Sequence, residues 1–218
     1  MDELNLKTRI FFVRHGHVRN PLNVYYGRLF GFPISAIGRQ QALEAAYYLK
    51  DQSIDAVYSS PQLRACETAH TIIEPHQHLI LRISESINEV HCPFDGQPIE
   101  KLAERNWDLY TGVGPGFEQP GDVLARARQF VAHTQIGHCG QNIVAVSHGD
   151  LIAFLILWAH GLSYTLKKRE MLYQEYVIPG SIHIFEFDTL KGDETSAVKY
   201  VSGAFPNIDE VPYDLSRD

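Results

Sequence analysis

Ile10-Phe11-Phe12-Val13-Arg14-His15-Gly16 is the stretch whose reading decides the fold. An unbroken apolar run of strand formers stops abruptly at a cation, an imidazole and a glycine. Such a run, closed by Gly, reads as a buried strand ending at a loop. In open α/β sheets ligands gather outside the carboxyl ends of strands, so Arg14 and His15 stand where chemistry usually happens. Further along, Asn142-Ile143-Val144-Ala145-Val146-Ser147 reads as a central strand buried on both sides, and His148-Gly149 closes it with the same grammar. If the two strands are parallel neighbours, both histidines project from one edge of the sheet.

Working outward, apolar strands alternate with amphipathic helices, which implies a largely parallel sheet with helices on both faces. A polar, aromatic and glycine-rich loop at 16–33 precedes a helix capped by Ser35, with Ala42, Ala45, Ala46 and Leu49 on one stripe. A strand at 55–59 is followed by Ser60-Pro61, read as an N-cap with proline at the first helical position of a helix to about residue 73. That places Arg64 in a first helical turn, where free N–H groups and a partial positive charge favour anions. A short strand is expected near 79–83. Residues 88–120 are rich in proline and glycine and read as an insertion over the strand ends, with one helix at 99–107. Helices from about residue 122 and from residue 151 to about 160 follow, and 181–188 with 197–202 resemble a late edge hairpin. The expected architecture is one domain, a three-layer α/β/α sandwich around a mostly parallel sheet.

Bulk properties narrow the function. At 218 residues, 44% apolar and 21% charged, the chain is long enough for a sizeable core. A formal charge of −7 argues against a general nucleic-acid or anionic-membrane surface. Cys66, Cys92 and Cys139 are far apart and suggest neither a disulfide framework nor a thiolate zinc site. The start, Met1-Asp2-Glu3-Leu4-Asn5, lacks a signal-peptide layout, and the apolar run from Leu151 to Ala159 is too short for a membrane span. The expected compartment is the cytoplasm. His76 and His78 form an H-x-H expected on the surface rather than at a metal.

The chain resembles the histidine phosphatase (phosphoglycerate mutase-like) superfamily. Five segments carry the resemblance in the family's order: Arg14-His15-Gly16; Pro33-Ile34-Ser35-Ala36-Ile37-Gly38-Arg39-Gln40-Gln41-Ala42; Tyr58-Ser59-Ser60-Pro61-Gln62-Leu63-Arg64-Ala65-Cys66-Glu67-Thr68-Ala69; Ile87-Asn88-Glu89-Val90; and Val146-Ser147-His148-Gly149. The resemblance implies that His15 attacks phosphorus through a neutral ring nitrogen, while its other nitrogen donates to a backbone carbonyl. It implies that Arg14, Arg64 and His148 bind the phosphoryl oxygens, and that Glu89 protonates the leaving oxygen and then activates water. No metal and no cofactor is implied. Glu85, four residues before Glu89, is the rival acid.

The departures from the family pattern concern substrate more than chemistry. Where the family commonly has a phosphate-binding Asn, this chain has Pro21, with Asn20 one residue early as the phosphate-ligand candidate. His17-Val18 replaces the usual Glu-Thr, and Pro93 stands near the usual Gly after the acid. Tyr25, Tyr26, Gly27, Arg28 and His17 are the candidate substrate contacts, with His91 as a further pocket-lining candidate. Between Val90 and Gly121 only Lys101 and Arg105 are cationic, where mutases of this family carry basic residues for a substrate carboxylate. The expected activity is therefore hydrolysis of a small phosphomonoester, such as a sugar phosphate or a nucleotide-derived ester like α-ribazole phosphate. The alternatives are phosphoglycerate mutase activity and, further off, non-catalytic binding. A small phosphate ester is the expected partner, with no nucleic acid and no membrane, and a homodimer is one assembly open to the chain.

Overall fold

The structure is a computed structural model that describes residues 7–164, 177–188 and 198–204. The acidic stretch from Glu210 to Asp218 lies outside these residues. Six strands form one sheet in the order β3-β2-β4-β1-β5-β6, with β1 Lys7–Arg14, β2 Ile54–Ser59, β3 Leu81–Ile83, β4 Asn142–Ser147, β5 Ile182–Asp188 and β6 Val198–Ala204. The first four are mutually parallel, while β5 runs antiparallel to β1 and β6 antiparallel to β5. The mostly parallel sheet and the late hairpin are thus both present. The hairpin supplies two strands of the same sheet, with β5 inside it against β1 and β6 at the edge.

Alternation along β1 explains why a continuous apolar run was needed. Phe11 and Val13 face one way with Val57, Val144 and Val146, against α1 (Ala36–Leu49) and α2 (Leu63–Ile73). Ile10 and Phe12 face the other way with Ile143 and Ala145, against α4 (Pro120–Gly137) and α5 (Gly149–Ala159). Both faces being covered gives the three layers. Burying Phe12 and its neighbours on two faces contributes about 1.5–3 kcal/mol per large side chain. α5 is buried from Gly149 through Trp158, which accounts for its lack of a polar stripe.

Several boundaries move for local reasons. Ser35 does cap α1, its hydroxyl accepting from Gly38 N at 3.1 Å. Ser60 does not cap α2: the helix begins at Leu63 with Gln62 as N-cap, and Pro61 lies before it. The Ser60 hydroxyl accepts from Gln62 N at 3.3 Å and is otherwise turned to the site. α4 starts two residues earlier than expected, because Gln119 and Asp122 form a capping box around Pro120. The helix expected at 99–107 shrinks to α3, Ile99–Ala103, and Asn106 and Trp107 beyond it adopt left-handed backbone.

The insertion at 88–120 is more than a cover. Val90, Cys92, Phe94, Leu102, Leu109 and Tyr110 are buried in the same core as α4 and α5. It is also stitched to the loop after β1: Val24 bridges Pro98, and Tyr25 N donates to Gln97 O at 2.7 Å. No helix among the described residues is long and apolar enough to cross a membrane.

Candidate active site

The parallel pairing of β1 with β4 places Arg14 opposite Ser147, and the next residue on each strand is a histidine. His15 N donates to Ser147 O at 3.0 Å, so the ladder continues one step into the site. The two imidazoles lie with ring centroids 5.2 Å apart. The carboxyl end of β2 leads into α2, whose second residue, Arg64, is fully buried between them. Glu89 follows a 3₁₀ turn at Glu85–Ile87 and reaches the same point from the far side of the sheet end.

His15 Nδ1 lies 2.8 Å from Gly16 O. A carbonyl only accepts, so Nδ1 carries the proton and Nε2 keeps its lone pair. Arg64 Nε donates to that Nε2 at 3.2 Å. Burial, then the charges of Arg64, His148 and Arg14, hold the His15 proton affinity well below the usual histidine value. The ring is neutral at pH 7 and aims a bare nitrogen into the pocket.

Around Arg64 the donors can be assigned by counting. Its Nη2 has two N–H groups, which reach Gly27 O at 2.8 Å and Glu89 Oε2 at 3.3 Å. None is left for His148 Nδ1, which therefore donates to Glu89 Oε2 at 3.2 Å. His148 Nε2 then accepts from the Ser60 hydroxyl at 2.7 Å. Burial lowers His148 to about 4, against the pull of Glu89 and with the push of Arg64, so it is neutral at pH 7. Burial alone would raise Glu89; His148, Arg64 and the Val90 N–H outweigh it and hold the carboxyl well below the usual range. With His148 neutral, the permanent charge of Arg64 is the main support of that carboxylate.

Donor atoms of His15, Glu89 and His148 all lie within 4.8 Å of one another, a spacing a metal ion could use. The Arg64 guanidinium stands among them, within 3.3 Å of each. A cation is already built into that position, and the pocket is suited to an anion.

The other sequence candidates divide. Arg14 lies close enough to lower His15, and its Nη1 donates to Val177 O at 2.6 Å. The Tyr26 ring lies over the Arg64 guanidinium, 4.8 Å from Cζ, and stacks beside Tyr25. Gly27 is buried with a positive φ of 37°, and a Cβ there would strike Asp95. Asn20 turns its side chain onto its own loop, donating to Val24 O at 2.9 Å and accepting from Val24 N at 3.3 Å. His17 Nδ1 pairs with Ser35 Oγ at 2.8 Å, joining the loop to the cap of α1. Arg28 turns toward Glu118 and the Glu89 carbonyl. Glu85 is exposed and accepts from Asn88 Nδ2 at 2.8 Å, away from the histidines. His91 is exposed and packs on Phe117. His78 is exposed, but His76 is buried, which corrects the surface expectation for that residue.

Sequence reasoning missed two contributors. Ser60, expected as a helix cap, instead holds His148. Arg126 was not among the candidates, yet its Nη2 donates to the Glu89 carbonyl. Glu118, in Gly116-Phe117-Glu118 where the family commonly has Gly-Glu-Ser, accepts from His91 N, two residues after Glu89. Arg126 left a readable signal, being a cation three residues after Val123 and four before Phe130 on the apolar face of α4.

A mostly parallel α/β sheet with two histidines at adjacent strand ends around a buried arginine defines a class of phosphoryl-group proteins. The chain belongs to the histidine phosphatase superfamily, branch 1, whose family model matches residues 10–191. It is similar to the uncharacterized protein Rv0525 of Mycobacterium tuberculosis, 36% identical over 149 residues, which are 65% of this chain and 73% of that protein. Phosphoserine phosphatase 1 of Hydrogenobacter thermophilus is 28% identical over 149 residues, 64% of this chain and 70% of that one. The mycobacterial glucosyl-3-phosphoglycerate phosphatase Rv2419c shares the fold with a TM-score of 0.71, covering 89% of this chain and 96% of its own at 24% identity.

Proposed function

We propose that this protein hydrolyses small phosphate monoesters by way of a covalent phosphohistidine on His15. The observation that carries the reading is the placement of the His15 ring: Nδ1 lies against Gly16 O, which leaves the unprotonated Nε2 facing a buried guanidinium. The Nε2 lone pair attacks phosphorus, the P–O bond to the leaving group breaks, and Glu89 gives its proton to the departing oxygen. Water then loses a proton to Glu89 and attacks phosphorus. The N–P bond breaks, releasing inorganic phosphate and neutral His15.

The surrounding charges suit both steps. Glu89 supplies the negative charge that Arg64 and His148 face. An arriving phosphoryl group replaces it, so the hold on Glu89 loosens and its proton affinity rises toward the working range. Arg64, Arg14 and the His148 Nδ1–H become donors to the phosphoryl oxygens, with no step that calls for a metal. Phosphoserine and glucosyl-3-phosphoglycerate, the substrates named for relatives, both join phosphate to a polar carbon skeleton and support a small metabolite as substrate.

The test is a panel of some tens of phosphate esters, with acid-quench capture of the phosphoenzyme. The expected result is turnover by the wild type and loss of both turnover and the labelled histidine in His15→Ala. Absence of wild-type turnover across the panel overturns hydrolysis; strong bisphosphate-stimulated isomerisation of a phosphoglycerate establishes a mutase instead.

A further inference from the structure

The Arg126 guanidinium, outside the pocket, spends every N–H it has on one short stretch of chain and one carboxylate. Nη1 donates to Ser86 O at 3.1 Å and to Asn88 O at 2.7 Å. Nη2 donates to Glu89 O at 3.1 Å and to Glu118 Oε2 at 3.3 Å, and Nε donates to Glu118 Oε1 at 2.6 Å. Five donors meet five acceptor contacts, the full capacity of an arginine side chain. Arg28 Nε donates to the same Glu89 carbonyl at 2.8 Å, and Arg28 Nη2 reaches Glu118 Oε2 at 3.2 Å. Glu118 closes the ring by accepting from His91 N at 2.7 Å. Both guanidiniums and the carboxylate are largely withdrawn from solvent, with side-chain exposures of 14%, 29% and 17% for Arg126, Arg28 and Glu118.

We infer that Arg126, Glu118 and Arg28 form a clamp that positions Glu89 for proton transfer to the leaving group, a role that rests on the phosphatase reading above. Glu89 sits in irregular chain just beyond the 3₁₀ turn, with neither a helix nor a strand to fix its backbone. Proton transfer demands that its carboxyl be held within hydrogen-bond reach of one departing oxygen. The clamp supplies from outside what sheet register supplies to His15 and His148. A structural ion pair alone would need only Arg126 with Glu118. Here two guanidiniums converge on the carbonyl of the acid itself, and their three chain acceptors span Ser86 to Glu89. A lysine at 126 keeps the charge but has three donors at one point and cannot fork to all of these sites.

A positioning role for the acid has a signature that general weakening of the fold does not. kcat/KM reports phosphoryl transfer to His15. Phenyl phosphate releases a basic phenolate that needs the proton, while 2,4-dinitrophenyl phosphate releases an anion that leaves unassisted. The experiment compares wild type, Arg126→Lys, Glu118→Gln and Glu89→Gln on both esters. Arg126→Lys is expected to lose on the order of 30-fold on phenyl phosphate and under about threefold on the dinitrophenyl ester. Glu118→Gln, which reads the same ratio should Arg126→Lys not fold, is expected to lose about tenfold selectively. Equal losses on both esters, or none on either, overturn the clamp while leaving the phosphatase reading intact, provided Glu89→Gln shows the selective loss. If Glu89→Gln shows no selectivity, Glu89 is not the acid and the clamp falls with that assignment.

Discussion

The two halves of the site are built by different means. His15, Arg64 and His148 stand on regular structure: the ends of β1 and β4 and the first turn of α2. Their spacing follows from strand register, with Arg14 opposite Ser147 and the β2 end beside them. Glu89, Tyr26, Gly27 and Arg28 stand on irregular chain, and their spacing depends on hydrogen bonds between loops. On the proposed mechanism, the half that would bind phosphate and form the N–P bond is fixed by the scaffold. The half that would handle protons and meet the leaving group is carried by loops, where binding and catalytic residues commonly vary.

Substitutions can test that division, the largest effect coming from the scaffold half. His15→Ala is expected to reduce kcat/KM by at least about 10⁴-fold on every ester, good leaving group or poor, since no other group forms the intermediate. A loss confined to poor leaving groups would move His15 out of the nucleophile role. Glu89→Gln is expected to cost about 10²–10⁴-fold on poor leaving groups and far less on good ones, measured by steady-state kinetics.

Acid should test the burial of the strand-borne histidines through stability. Burial lowers His148 and His183 to about 4, and His183 also faces the charge of Arg14. The unfolded chain takes up these protons near 6.5, whereas the fold resists them. Stability present above pH 6.5 is therefore lost as pH falls, by about 3 kcal/mol for each of the two at pH 4. His15, lowered in the same direction, adds to it. Thermal melts followed by circular dichroism from pH 7.5 to 4.5 should show a falling Tm, with a shallower fall in His148→Asn. A flat profile would show that these histidines are solvated and would undo the rigid picture of the strand ends.

The smallest expected effect lies in the loop. Asn20→Ala removes two hydrogen bonds to Val24 and reaches the pocket only through the loop's shape. KM should rise less than about tenfold with kcat nearly unchanged. A fall in kcat comparable to that of His15→Ala would return Asn20 to the phosphate.

The same division governs what could be read in the sequence. Continuous apolar runs ending in Arg-His-Gly and Ser-His-Gly carry their own geometry, because a strand buried on both faces fixes where its last residue points. Parallel order, the pairing of the histidines and the arrival of Arg64 were legible on that ground. The first turn of α2 was misplaced because Ser60 spends its hydroxyl on His148 and Gln62, a tertiary use that local capping rules cannot see. The clamp was illegible because what it holds around Glu89 are backbone carbonyls, which every residue has. Only the partner was visible, as a cation on an otherwise apolar helix face. The role expected of Arg28 suffered from the same blindness: proximity to the pocket was readable, but not which way its fork turns.

The central place of β1 also bears on how the site is reached during synthesis. The strand carrying His15 is made before either of its neighbours, β4 and β5, with Lys7 opposite Asp188 and Val13 opposite both Val146 and Ile182. Two of the longest loops in the chain must close before that strand has a partner on each side, a slow step in folding. A nascent chain halted after α2 would present Ile10-Phe11-Phe12-Val13 with neither edge paired, a short and strongly aggregating segment. His15 is thus translated well before the strands that house it, and exposure of this one strand sets the interval in which the growing chain most needs protection.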